Sequence, residues 1–150
     1  MKVVHYTKPY FNLHPIQITN GDGKTGLFIK PNGGLWCSPF ESVNGWVDWC
    51  RSESFRDIDS QQRVILEVDT THFVTIDNAE DMECKLPWFQ IHDMFWAIDF
   101  EKMVEQGIEG IHLTVKGQAK TRWTNPKNLY GWDCETVLIM NEKCINSVEI

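Results

Sequence analysis

Gly131-Trp132-Asp133-Cys134-Glu135-Thr136-Val137-Leu138-Ile139-Met140 is the stretch on which the fold turns. Its apolar run from Val137 to Met140 marks a late, long strand, expected over Trp132 to Met140, with two carboxylates near its start. Asp133 and Glu135 stand two positions apart, so on a regular strand both side chains would share one face. Two segments near the beginning of the chain match it in kind. Lys2 to Tyr6 reads as an opening strand that carries His5 after Val3-Val4, and Leu35 to Ser38 as a strand that carries Trp36 and Ser38 on the same face. Polar or aromatic residues on three strands far apart in sequence are how a cleft on a sheet is assembled.

Outward from these segments, the remaining pattern is mixed. Gly26 to Lys30 reads as a strand joined by the turn Pro31-Asn32-Gly33-Gly34 to Leu35–Ser38, making a hairpin. Residues 8–24 are loop, with Lys8-Pro9, His14-Pro15, Asn20-Gly21 and Asp22-Gly23 as turn signals. Ser42 to Phe55 reads as a helix, because Trp46, Trp49 and Cys50 recur at i, i+3 and i+4. Arg63 to Asp69 is expected as a strand, with His72 to Ile76 as its partner after a Thr-Thr turn. Asn78 to Leu86 suits a short helix ended by Pro87. Asp99 to Gln106 is a helix with Asp99 as N-cap and Gly107 as terminator. Gly110 to Val115 is a strand, and Lys116 to Asn128 reads as a polar loop. The aromatic stretch from Trp88 to Trp96 and the tail from Asn141 give no clear period. Helices fall between strand pairs and not after every strand, so the expected class is α+β in a single domain spanning 1–150.

Composition bounds the function. With 150 residues, 42% hydrophobic and 23% charged, the chain has the make-up of a folded globular protein. A net charge of −7 argues against a stable generic grip on nucleic acid, which needs a basic face. No apolar run reaches the roughly 18 residues of a membrane span, and the opening MKVVHYTKPYF is too short and polar for a signal peptide. Five cysteines without a C-x-x-C pair point to free thiols and a cytoplasmic location. Seven Trp and eight Phe are the compositional oddity, suited to a packed core or to an aromatic-walled pocket.

Several motifs dissolve on inspection. Gly23-Lys24-Thr25 lacks the earlier glycine of a phosphate loop, since Ile18 stands there, and a hairpin turn is the simpler reading. His5, His14, His72, His92 and His112 are scattered without metal-ligand spacing, so no metal site is expected.

The set His5, Trp36, Ser38, Asp133 and Glu135 remains. In order and spacing, His5-Tyr6-Thr7, then Gly34-Leu35-Trp36-Cys37-Ser38, then Asp133-Cys134-Glu135 resemble the three strand motifs of ADP-ribosyltransferases, with Trp36 where the best-known pattern has Tyr. The segments Lys30-Pro31 through Ser38, Trp46/Trp49-Cys50 and Gly131-Trp132-Asp133-Cys134 are also similar to those of small bacteriophage proteins that look like this superfamily. The resemblance implies an α+β fold of split or strongly twisted sheets with small flanking helices. It implies NAD as substrate and ADP-ribosyl transfer, or NAD hydrolysis, as activity, with a host protein or nucleic acid as acceptor. Glu135 would steady the oxocarbenium-like state at the ribose, with Asp133 assisting. His5 would hold the adenosine-side ribose and the carboxamide. Trp36 would stack on nicotinamide, Ser38 would position Glu135, and Tyr6 and Thr7 would line the pocket. The alternative is a catalytically silent relative that binds a nucleotide or inhibits a host protein through the same cleft or the acidic surface. In either case the site residues should converge on one cleft.

Overall fold

The computed structural model describes residues 1–23 and 28–150. Among them the strands are β1 (Lys2–Thr7), β2 (Ile18–Thr19), β3 (Asn32–Gly33), β4 (Leu35–Pro39), β5 (Gln62–Val68), β6 (Phe73–Ile76), β7 (Trp88–His92), β8 (Phe95–Ile98), β9 (Gly110–Leu113), β10 (Thr136–Ile139) and β11 (Ile145–Glu149). The helices are α1 (Trp46–Ser52), α2 (Ala79–Lys85), α3 (Phe100–Glu105) and α4 (Val115–Thr121). Seven strands form one sheet in the order β11-β5-β1-β4-β10-β9-β6, and β2-β3 and β7-β8 form two small ribbons. Every pairing is antiparallel except β6 with β9. The class is therefore α+β.

The apolar run that opened the sequence reading becomes β10, the strand buried on both sides. Leu138 and Met140 enter a cluster with Ile76, Met82, Phe100, Met103, Ile111, Leu113 and Trp132, which α2 and α3 cover. Val137 and Ile139 enter a second cluster on the opposite face with Val3, Val64, Leu66 and Val68. The turn-rich segment before β2 lays Phe11 and Ile16 over that second face. Such period-two partition is what a covered strand requires.

β1 and β4 pair at only two positions, Val3 with Pro39 and Val4 with Ser38. On its other edge β1 runs along β5 through six rungs, and β4 follows β10 through three. The sheet thus consists of two well-knit blocks joined by a short seam. Past Val4 the seam opens, and the cleft described below lies there.

Some elements differ from the sequence reading. Gly26 and Leu27 of the expected first hairpin lie outside the described residues, as do Lys24 and Thr25. β4 finds its partners in β1 and β10 instead of the segment before the Pro31–Gly34 turn. β6 does not pair with β5, whose two edges are taken by β1 and β11; it lies at the far end of the sheet, parallel to β9. Residues 116–121, read as part of a polar loop, are helical in α4. Gly117 is there for proximity: a Cβ would stand 2.0 Å from the Ile76 carbonyl oxygen, so only glycine lets α4 lie against β6. Thr114 caps that helix by accepting the Gly117 N–H at 3.0 Å. The last strand is shorter than expected, since residues 131–135 precede β10 as an irregular approach. Trp88–Trp96, undecided from sequence, contributes most of the β7–β8 hairpin.

Candidate functional site

Where β1 and β4 part, a cleft of about 490 Å³ opens. His5 and Tyr6 reach it from β1, Trp36 and Ser38 from β4, and Trp46 from the start of α1. Lys30, Arg56, Trp132, Asp133 and Cys134 complete its principal walls. The segments singled out at the start of the sequence reading do meet in space.

The aromatic walls are held from behind. Trp132 is 2% exposed, and its indole N–H donates to the Ile29 carbonyl at 2.8 Å. It meets Trp36 edge-on with centroids 5.0 Å apart, the arrangement that ring quadrupoles favour. Trp46 stacks on Trp49 at 5.3 Å, and Phe55 packs on both. Trp36 and Trp46 are thus fixed platforms.

His5 is fixed too. Its Nδ1 stands 2.8 Å from the Trp36 carbonyl oxygen. A carbonyl only accepts, so Nδ1 carries the hydrogen and donates it. Burial lowers the pKa of this imidazole, against the opposing effect of that hydrogen bond. In its neutral form Nε2 is left as an acceptor.

Ser38, 3% exposed, ties two walls together. Its Oγ accepts the Trp46 N–H at 2.8 Å and donates to the backbone carbonyl of Glu135 at 3.2 Å. The expected link between Ser38 and Glu135 is therefore made through the main chain.

The two carboxylates go separate ways, because residues 133–135 lie before the regular strand and do not keep its alternation. Asp133 lines the cleft and accepts from the Arg122 guanidinium at 3.2 Å. The Glu135 carboxylate is instead turned toward α4 and β9. Its Oε2 accepts the Val115 N–H at 3.1 Å and stands 4.0 Å from His112 Nε2. Glu135 borders a different hollow, with Lys2, Phe40 and Ser42, and neither it nor Thr7 is among the residues lining the His5–Trp36 cleft.

The cleft is cationic within an acidic protein. Lys30 and Arg56 both line it, and Asp133, the carboxylate on its wall, already faces Arg122. Burial lowers the Lys30 pKa, an effect opposed by Asp133 and Cys134. Arg56 lies over the faces of Trp46 and Phe55, at 5.9 and 5.2 Å from their centroids. Cys37 and Cys134 also border the cleft, and burial raises both thiols, Cys134 to about 11, so neither is a thiolate nucleophile near neutral pH. Among the described residues no group of three His, Cys, Asp or Glu side chains gathers to hold a metal. Nor is any helix among them long and apolar enough to cross a membrane.

Of the residues named from the sequence, His5, Tyr6, Trp36, Ser38 and Asp133 line this cleft; Lys30, Trp46 and Arg56, which were not named, line it too, and Arg122 pairs with Asp133. Trp46 carried a signal in the Trp46/Trp49 spacing. Arg56 and Arg122 carried none, since each lies beyond a helix end and reaches the site only through the fold. Compared with protein-family models, curated proteins and solved structures, the chain shows no significant match.

Proposed function

We propose that the His5–Trp36 cleft binds a nucleotide of the NAD type and holds it without transferring its ADP-ribose. One observation carries this reading: three tryptophans and two cationic side chains, Lys30 and Arg56, line the same concavity. Flat rings want aromatic walls, phosphates want guanidinium and ammonium groups, and a nucleotide offers both. The volume of about 490 Å³ falls within the range of small-molecule sites. The neutral His5 supplies an acceptor for a ribose hydroxyl or a carboxamide N–H.

The chemistry of transfer is what the cleft lacks. Cleaving the glycosidic bond of NAD⁺ builds positive charge on the ribose, and an uncompensated carboxylate must stand beside it. Asp133 has its charge met by Arg122, and the Glu135 carboxylate accepts the Val115 N–H on the side away from the cleft, with His112 4.0 Å off. This supports the silent-binder reading over the transferase.

Titration of the intrinsic tryptophan fluorescence with NAD⁺, ADP-ribose and AMP tests the proposal. Saturable quenching by at least one of them, with no nicotinamide released from NAD⁺, is the expected result. Nicotinamide release at an enzymatic rate would restore the transferase, and absence of any quenching would remove nucleotide binding altogether.

A further inference from the structure

The chain's negative charge is not spread evenly. From Gly110 to Trp132 there is no Asp or Glu, while Lys116, Lys120, Arg122 and Lys127 all fall within that stretch. This interval builds α4 and the loop that returns to the cleft. Lys116 and Lys120 are exposed and one turn apart on α4, and Trp123 follows a turn later, just past the C-cap Arg122. Lys116 and Lys120 therefore share one side of the helix, and Trp123 follows just beyond its end. Lys116 lies near Asp81 of α2, whereas Lys120 is exposed in the last turn of α4.

The aromatic groups here are placed as no core residue would be. Trp123 is 74% exposed and Tyr130 49%, yet they lie against each other at 5.2 Å. Arg122 sits over both rings, 5.5 Å from Trp123 and 5.0 Å from Tyr130, while its guanidinium also holds Asp133. A neighbouring Lys127 ammonium lies 4.5 Å from the Trp96 ring. Leaving an indole three-quarters exposed forgoes the burial that normally places it. Ordering it beside a second ring, with lysines around, makes a platform for flat groups joined by anions.

We infer that the α4–Tyr130 face docks single-stranded nucleic acid, bases stacking on Trp123 and Tyr130 and phosphates meeting Lys120 and Lys127. Stacking on exposed aromatics beside a track of cations is how single strands are held without sequence preference. A duplex conceals its base faces and offers this platform only phosphate. An acidic protein segment would satisfy the lysines but leave the two rings unused. The face adjoins the nucleotide cleft through Arg122 and Asp133 yet shares no ligand-binding ring with it, so its test does not depend on what the cleft binds.

The test is fluorescence anisotropy with labelled oligothymidylate and oligouridylate of about 16 nucleotides, a duplex of equal length and an oligoglutamate peptide, at about 50 mM salt. Binding of a single strand is expected, tighter than the duplex, with the better of the two strands identifying DNA or RNA as the partner. Trp123→Ala should weaken it about tenfold, from the loss of one stacked base. Lys120→Glu should weaken it as well and flatten its salt dependence, where each phosphate contact contributes a slope of about −0.7. Both substitutions are on exposed side chains, and circular dichroism checks that the fold is kept. The inference is overturned if neither single strand binds, if Trp123→Ala binds like the wild type, or if the oligoglutamate binds and the strands do not.

Discussion

The Nδ1 of His5 and the carbonyl oxygen of Trp36 stand 2.8 Å apart, bridging β1 and β4 just beyond their last ladder pair, Val4 with Ser38. A side chain thus continues a seam that the backbones have left. The contact fixes both the tautomer and the ring orientation of the histidine, and with them the acceptor that the cleft presents.

Nitrogen NMR of the imidazoles checks that assignment. His5 should show the pattern of a protonated Nδ1 and a bare Nε2 at neutral pH, with a titration midpoint below the ordinary 6.5. A midpoint above that value, or the opposite tautomer, would contradict the geometry.

The same physics gives the pH dependence of folding. His5 and His112 are both lowered by burial, His112 against the opposing pull of Glu135 and Asp77. A base that holds its proton less well when folded makes the unfolded state the better proton binder. Their contribution to stability is therefore complete above pH 6.5 and is lost as the pH falls below it toward the folded-state values. Denaturant unfolding should show a lower midpoint at pH 5.5 than at pH 7.5, and His112→Gln should reduce the difference.

Ser38→Ala removes one hydroxyl that serves two part-buried partners, the Trp46 N–H and the Glu135 carbonyl. An unsatisfied buried group costs about 1–3 kcal/mol, so the loss should be of that order. Gly45, the N-cap of α1, lies against Ser38 closely enough that a Cβ would stand 3.1 Å from the serine Cβ. The start of α1 is thus seated directly on Ser38, and ligand affinity should fall together with stability. A variant as stable as the wild type would show that the bridge contributes nothing.

Trp132→Ala should be more damaging, by about 3–5 kcal/mol, because it opens a large cavity. Trp132 is 2% exposed, abuts Trp36 and bonds Ile29. The measurement is the unfolding midpoint in urea. A loss below about 1 kcal/mol would mean that neighbours collapse into the space.

Much of this was legible in the sequence where a residue's neighbours are local. Asp99 was readable as an N-cap, and it accepts the Lys102 N–H; Gly107 was readable as a stop, and it has φ +81°. The helix Ala79–Lys85 was legible from Asn78 and Pro87. What failed was long-range. β11 carries no alternation to detect, since four of its five residues are exposed on the sheet edge. The pairing of β6 with β9 depends on β1 and β11 having filled both edges of β5, which no local signal announces. For the site, strand periodicity told which of Trp36 and Ser38 would share a face. It misjudged Asp133 and Glu135, because those residues precede the strand whose alternation was applied to them.

In the proposed mode of binding, the His5–Trp36 cleft holds a nucleotide through its tryptophans and cations while Glu135 takes no part. Calorimetric titration of NAD⁺ into the wild type, Trp36→Ala, Arg56→Ala and Glu135→Gln tests it most directly. Trp36→Ala and Arg56→Ala should each weaken binding about tenfold, from lost stacking and a lost charged contact, while Glu135→Gln binds as the wild type does. Unchanged affinity in both Trp36→Ala and Arg56→Ala would contradict it, as would a loss of binding confined to Glu135→Gln.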